Sequence, residues 1–172
     1  MSSTGAGRTV TLAAALLLLA VATVGEAQVL SYATTTRVDD GEADRLQRRA
    51  EALHDQPGRW TEVGDLYTRA ASLRTPGDAR AIDAWLTASR VYHHAGRAAD
   101  AVRVLRLAAE AALATGDVVR AAHSFTDEAW VLARMNRKAE AAEVLKRAEL
   151  LTRSPLLRES EQRALRRRLD AR

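Results

Sequence analysis

The chain contains no cysteine. Disulfides, thiolate metal sites and a lipidated N-terminal cysteine are thereby excluded, and the folded state must be held by packing alone. Aromatic residues make up only 4% of the 172 residues, and proline occurs three times. Lysine is nearly missing as well: of the 26 basic residues only Lys138 and Lys146 are lysines. So one-sided a use of arginine reads as genome composition rather than as a phosphate-binding device. The formal net charge of +4 raises the case for an acidic partner only slightly.

Catalytic signatures are missing too. The chain has no His-Glu-x-x-His, no phosphate loop and no glycine-rich dinucleotide turn. Ser89 and Ser124 lack a nucleophile-elbow context. His123 and Asp127 stand one helical turn apart, but two ligands without a third make a poor metal site. Both read as surface residues. Neither an enzyme nor a cofactor is expected.

What the chain does have is alanine and leucine. Hydrophobic residues reach 47% with few β-branched ones, a composition that favours helices because alanine loses no side-chain entropy and leucine little. The length suffices for one domain with a real core.

Residues 1–27 read as an export signal. Arg8 gives a positive start, residues 10–24 are an apolar run, and Gly25-Glu26-Ala27 places small residues where a signal peptidase reads. Cleavage after Ala27 is expected, with delivery to a bacterial periplasm or cell envelope. The alternative is an uncleaved anchor in the inner membrane, although the charge-free stretch 9–25 falls just short of a comfortable span. Residues 28–41, with three consecutive threonines and no helical period, read as a flexible linker.

From Glu42 onward, apolar residues recur at intervals of three and four between turn signals. Helices are expected over 42–54, 59–73, 79–95, 98–114, 118–135 and 138–152. Asp55-Gln56-Pro57-Gly58, Thr75-Pro76-Gly77-Asp78, Gly96-Arg97, Thr115-Gly116-Asp117 and Asn136-Arg137 separate them. Val63, Ala101 and Ala141 fall into register, as do Tyr67, Leu105 and Leu145, and then Ala70, Ala108 and Ala148. The offsets are 38 and 40 residues, the mark of helix hairpins stacked in a solenoid. Residues 42–155 form this repeat region. The pairing places residues 42–73, 79–114 and 118–152 in three hairpins, on the expectation that turns within hairpins are shorter than those between. Starting instead at Trp60 shifts every pairing by one helix. The tail, 156–172, is an amphipathic basic helix suited to cap the last apolar surface.

The set Trp85, Ala88, Ser89, Tyr92, Gly96, Ala101, Leu105 and Ala108 resembles a tetratricopeptide repeat. Phe125, Ala129, Leu132, Ala141, Leu145 and Ala148 make a looser second match, and the first unit matches mainly in its second helix. The resemblance covers about two-thirds of the chain. It implies an all-α, short right-handed solenoid of antiparallel hairpins whose first helices line a concave binding surface.

Projected on that surface, the third helix offers Asp83, Leu86, Arg90 and His93, and the fifth offers His123, Thr126 or Asp127, Trp130 and Arg134. The first helix adds Arg45, Arg48 and Ala52. The candidate peptide-binding residues are therefore Arg48, Arg90, His93, His123, Trp130 and Arg134, with guanidinium groups able to clamp an acidic segment or a chain terminus. The competing reading makes the arginines ordinary solvated positions and Trp60, Trp85 and Trp130 packing residues. An exported adaptor for protein segments is the leading expectation. A membrane-surface structural protein, held by the N-terminal segment or by Arg163, Arg166, Arg167 and Arg168, is the alternative. Nucleic acid is not an expected partner, and end-to-end homodimers are compatible with the repeat.

Overall fold

The computed structural model describes residues 38–170. The expected export segment 1–27 and all but the last few residues of the expected linker lie outside the described residues. Among the described residues every regular element is helical: α1 (Asp40–Leu53), α2 (Trp60–Leu73), α3 (Ala79–His94), α4 (Ala98–Ala114), α5 (Val118–Arg134), α6 (Lys138–Leu151) and α7 (Glu159–Asp170). From α1 to α6 each helix packs against the next, and α7 returns to lie against α5. None of these helices is long and apolar enough to cross a membrane.

Side-chain caps set several starts. The Asp39 carboxylate accepts the Glu42 N–H at 2.9 Å, so α1 begins at Asp40 rather than beyond Gly41. Asp78 caps α3 through the Arg80 N–H (2.8 Å), and Asp117 caps α5 through the Arg120 N–H (3.0 Å). The helix ends are equally regular. The carbonyls of Tyr92, Ala112 and Leu132 accept the N–H groups of Arg97 (2.8 Å), Asp117 (2.8 Å) and Arg137 (2.9 Å). Such a closure needs a left-handed residue just past the helix. Gly96 (φ 72°), Gly116 (φ 75°) and Asn136 (φ 62°) supply it.

Gly58 and Gly77 are left-handed as well, so these positions recur at 58, 77, 96, 116 and 136. The 38- to 40-residue period is thus two nearly equal helix-turn units. Turn length does not mark the hairpins as expected: residues 54–59, inside the first hairpin, form a longer connection than 115–117, between the second and third. The last three reversals share one backbone closure and one length, so turn length there carries no information on which helices pair.

Ion pairs show which helices are second neighbours. Arg80 of α3 reaches Asp40 and Asp44 of α1, each at 3.7 Å. Arg120 of α5 meets Asp83 of α3 at 3.1 Å, and Arg168 of α7 meets Asp127 of α5 at 2.8 Å. The odd helices therefore lie side by side. Exposed pairs of this kind contribute little to stability, about 0–1 kcal/mol each. Cohesion comes from the core, where the register residues Val63, Ala101, Ala141, Tyr67, Leu105, Ala70, Ala108 and Ala148 are all buried and Leu145 is half-buried. Alanines at most of these sites let the helix backbones come close.

Candidate functional site

Odd helices run in one direction, so their C-terminal ends gather along one rim, joined there by the start of α2. The rings that the sequence places at these ends come into contact. His54, just past α1, stands edge-on to Trp60 at the start of α2, with centroids 5.6 Å apart, and near Tyr67 at 6.5 Å. Trp60 lies 6.0 Å from His94 at the end of α3, and His94 lies 6.2 Å from His93. His93 then meets Trp130 of α5 edge-on at 4.9 Å. The Arg134 guanidinium sits 5.1 Å from the Trp130 ring centroid. Edge-on packing directs the positive ring edge at a neighbour's π face, and a guanidinium over tryptophan uses the same face. His54, Trp60, His93 and Trp130 are half-buried, while His94 and Arg134 are exposed. The result is a line of rings and imidazoles with a cation at its end.

Of the six residues singled out from sequence, His93, Trp130 and Arg134 are brought together here. Arg90 lies one turn before His93, exposed, its Nε donating to the Leu86 carbonyl at 3.4 Å. Burial pushes the Tyr67 hydroxyl pKa up, Glu51 adds to that effect and Arg90 opposes it, so the charges of α1 and α3 act on the same phenol.

Arg48 lies elsewhere. With Asp44, Gln47, Glu51, Arg74 and Arg80 it lines a cavity of about 160 Å³ beside α1.

His123 is also apart from the ring line, because α7 comes down on this stretch of α5. Both Asp127 oxygens lie within 2.9 Å of Arg168 Nη2. Burial, and then the Arg168 guanidinium, hold the His123 imidazole below its usual pKa, against the pull of Asp127 and Asp117. His123 and Asp127, expected at the open surface, are thus partly covered. Thr126 is not at the surface at all: it is buried, its hydroxyl donating to the Ala122 carbonyl at 2.7 Å.

Two charged residues in the interior carried no sequence signal. Arg74, 4% exposed, donates from Nη2 to Asp44 (2.8 Å) and Gln47 (2.9 Å) of α1. Glu128, fully buried on α5, accepts from Arg106 Nε of α4 at 2.5 Å, and burial pushes its carboxyl pKa up. Both partners lie more than twenty positions away, beyond the reach of helical periodicity.

Chemically, the rim offers ring faces, imidazoles and guanidinium groups, the means to hold a ligand without a covalent step. Among the described residues no group of three or more carboxylates and imidazoles is placed to hold a metal ion. No protein-family model matches the chain, and neither a characterised protein nor a solved structure matches it.

Proposed function

We propose that the protein is an exported, non-catalytic adaptor of tetratricopeptide-like build that holds a protein segment by equilibrium binding across its odd helices. In this reading α1/α2, α3/α4 and α5/α6 are the hairpins of a short right-handed solenoid, and α7 caps it. The three Asp–Arg links that tie α1 to α3, α3 to α5 and α5 to α7 are compatible with this phase, in which the first helices of successive hairpins lie next to one another.

The observation that carries the reading is the contact of His93, Trp130 and Arg134, with exposed Arg90 one turn away. An aromatic anchor beside exposed guanidinium groups suits an acidic segment or chain terminus: the ring supplies area and the fork supplies direction. The test is capture from a cell-envelope extract by the immobilised protein. Arg90→Glu with Arg134→Glu should abolish capture of bound proteins while leaving the melting temperature unchanged. Unaltered capture by the double variant would remove the basis for the proposal. N-terminal sequencing of the exported chain checks cleavage after Ala27.

A second reading, attachment to an anionic membrane surface, has its own support. Arg158, Arg163, Arg166 and Arg167 are exposed on or next to α7, and Leu156 beside them is 72% exposed. Basic and apolar groups on one short segment can engage headgroups. Flotation with phosphatidylserine vesicles, lost on Arg163→Gln with Arg166→Gln and Arg167→Gln, would favour it over the adaptor.

A further inference from the structure

We propose that the stretch of rim between α3 and α5 is gated by pH: protonation of the adjacent pair His93 and His94 strengthens its hold on an acidic segment. The gating rests on the reading of this rim as the binding face, and adds the condition under which it binds most tightly.

His93 and His94 close α3 side by side, their ring centroids 6.2 Å apart. Each has an indole against it: Trp130 of α5 lies 4.9 Å from His93, and Trp60 of α2 lies 6.0 Å from His94. An indole is the side chain that best attracts a cation lying within about 6 Å of its ring. A protonated imidazole at either position therefore has its support already in place. Imidazole is also the side chain whose charge ordinarily changes between about pH 5 and 8.

The charged groups around the pair leave its cations to a ligand. On α3, Arg90 turns back along its own helix, with Nε donating to the Leu86 carbonyl, and just beyond the helix Arg97 pairs with Asp100. On α5, Arg134 lies over Trp130, while Asp127, one turn before that ring, is tied to Arg168 of α7. At the start of α2, Glu62 takes both Arg49 and Arg59, and at the start of α6 Glu140 takes Arg137. Each of these carboxylates is thus occupied by an arginine, whereas the guanidinium groups of Arg90 and Arg134 sit on a carbonyl and a ring.

His54, at the other end of the line, differs. Glu51 stands one turn before it and Asp55 follows it directly, and Glu51 acts on the Tyr67 phenol, whose ring lies 6.5 Å from His54. A charged His54 meets these acids first. Protonation of His93 and His94, by contrast, turns two exposed guanidinium groups into a set of four cations, two of them with rings 6.2 Å apart. An anionic segment laid along them relieves that repulsion. At about 6 Å in water-like surroundings each added imidazolium is worth about threefold in affinity for one carboxylate, and the pair about tenfold.

Fluorescence anisotropy of a labelled pentapeptide, four aspartates around one phenylalanine, titrated with the full chain at about pH 7.5 and about pH 5.5 in the same salt, decides the matter. Aspartate, with an ordinary pKa of about 3.9, stays ionised in the probe at both values. Affinity should rise about tenfold at the lower pH. His93→Gln with His94→Gln should cut that ratio to about twofold or less. His94→Arg, a fixed charge at an exposed position, should raise the affinity at the higher pH and shrink the ratio. His54→Gln, and His123→Gln under α7, should leave the ratio in place. If His93→Gln loosens the end of α3, His94→Arg still decides, because an unchanged ratio there overturns the gating. Equal binding at both pH values, or a ratio that survives in the double variant, overturns the gating and leaves the binding face standing. A peptide that binds at neither pH overturns both.

Discussion

The ring of Tyr92 on α3 packs directly against Gly64 on α2: a Cβ added at Gly64 would stand 2.7 Å from Tyr92 Cε1 and 2.9 Å from Cδ1. The ring cannot swing aside cheaply. Its hydroxyl donates to Asp65 at 2.6 Å and accepts from Thr68 at 3.3 Å, both on the helix that carries Gly64. Glycine inside a helix costs about 1 kcal/mol against alanine, so its presence here needs a reason of this kind. Gly64→Ala should therefore destabilise the protein by about 1–3 kcal/mol despite the gain in helix propensity, the overpacking term outweighing it. Urea unfolding of the variant measures this. A gain in stability would mean that α2 and α3 move apart without cost.

The Arg106–Glu128 pair should respond unequally to removal of its two ends. Glu128 is fully buried and its Oε2 makes no hydrogen bond to a described residue, whereas the Arg106 side chain is 46% exposed. Arg106→Ala would strand a buried carboxylate at roughly 2–4 kcal/mol. Glu128→Gln removes the buried charge and leaves an arginine that water can reach, so it should cost distinctly less. Equal losses in denaturant titrations would contradict the burial argument.

The same carboxylate gives stability a pH dependence of known sign. Burial raises the Glu128 pKa above its ordinary 4.5, while Arg106 and Arg147 oppose the rise and Glu110 adds to it. Above the ordinary value the folded state then holds a proton that the unfolded state releases. The contribution of Glu128 to stability is present at acid pH and is lost as the pH climbs from 4.5 through the raised value. Melting temperatures taken across that range should fall less steeply in Glu128→Gln than in the parent. Parallel curves would exclude Glu128 as the source.

How far all this was legible in the sequence follows from the distance over which each signal acts. Ala98–Ala114 is visible as a helix because Ala101, Leu105 and Ala108 mark one face and Gly96 and Gly116 mark its ends, all within a few turns. Helical spacing puts His93 and Trp130 each on one face of its own helix, but their contact depends on α3 and α5 lying side by side. The roles of Gly64, Arg74 and Glu128 depend on Tyr92, Asp44 and Arg106, each brought in by another helix. The burial of His123 depends on where α7 returns, forty-odd positions later. Periodicity says which face is apolar. It does not say which neighbour covers a polar residue.

His123 should make the docking of α7 sensitive to mild acid. Burial and Arg168 hold its pKa below the ordinary 6.5, so the unfolded chain takes up the proton more readily than the folded one. The stability it contributes is complete above 6.5 and is lost as the pH falls through the lowered value. A protonated imidazole would also repel Arg168, which ties α7 to Asp127. Amide hydrogen exchange in α7, corrected for intrinsic rates, should be constant above pH 6.5 and accelerate as the pH falls below it. His123→Gln should flatten that response. An α7 whose protection is constant over this range would show that the imidazole does not govern its docking.

The reversals offer the last test, because one of five left-handed positions departs from glycine. Asn136 has φ 62° between Met135 and Arg137, where the chain turns from α5 into α6 with the same hydrogen bonds that close α3 at Gly96. Asparagine enters this region more easily than other residues with a Cβ, but glycine does so without steric cost. Asn136→Gly should therefore be neutral or stabilising by up to about 1 kcal/mol, the larger unfolded-state entropy of glycine offsetting part of the gain. At Gly96 no atom lies within 4 Å of an added Cβ, so Gly96→Ala tests backbone strain with no clash to confuse it. That change should cost about 1–2 kcal/mol. Measured together by thermal unfolding, the two variants should move in opposite directions or leave Asn136→Gly unchanged. If Gly96→Ala were harmless, the left-handed closure would not be what holds the successive helices at their 19- to 20-residue spacing.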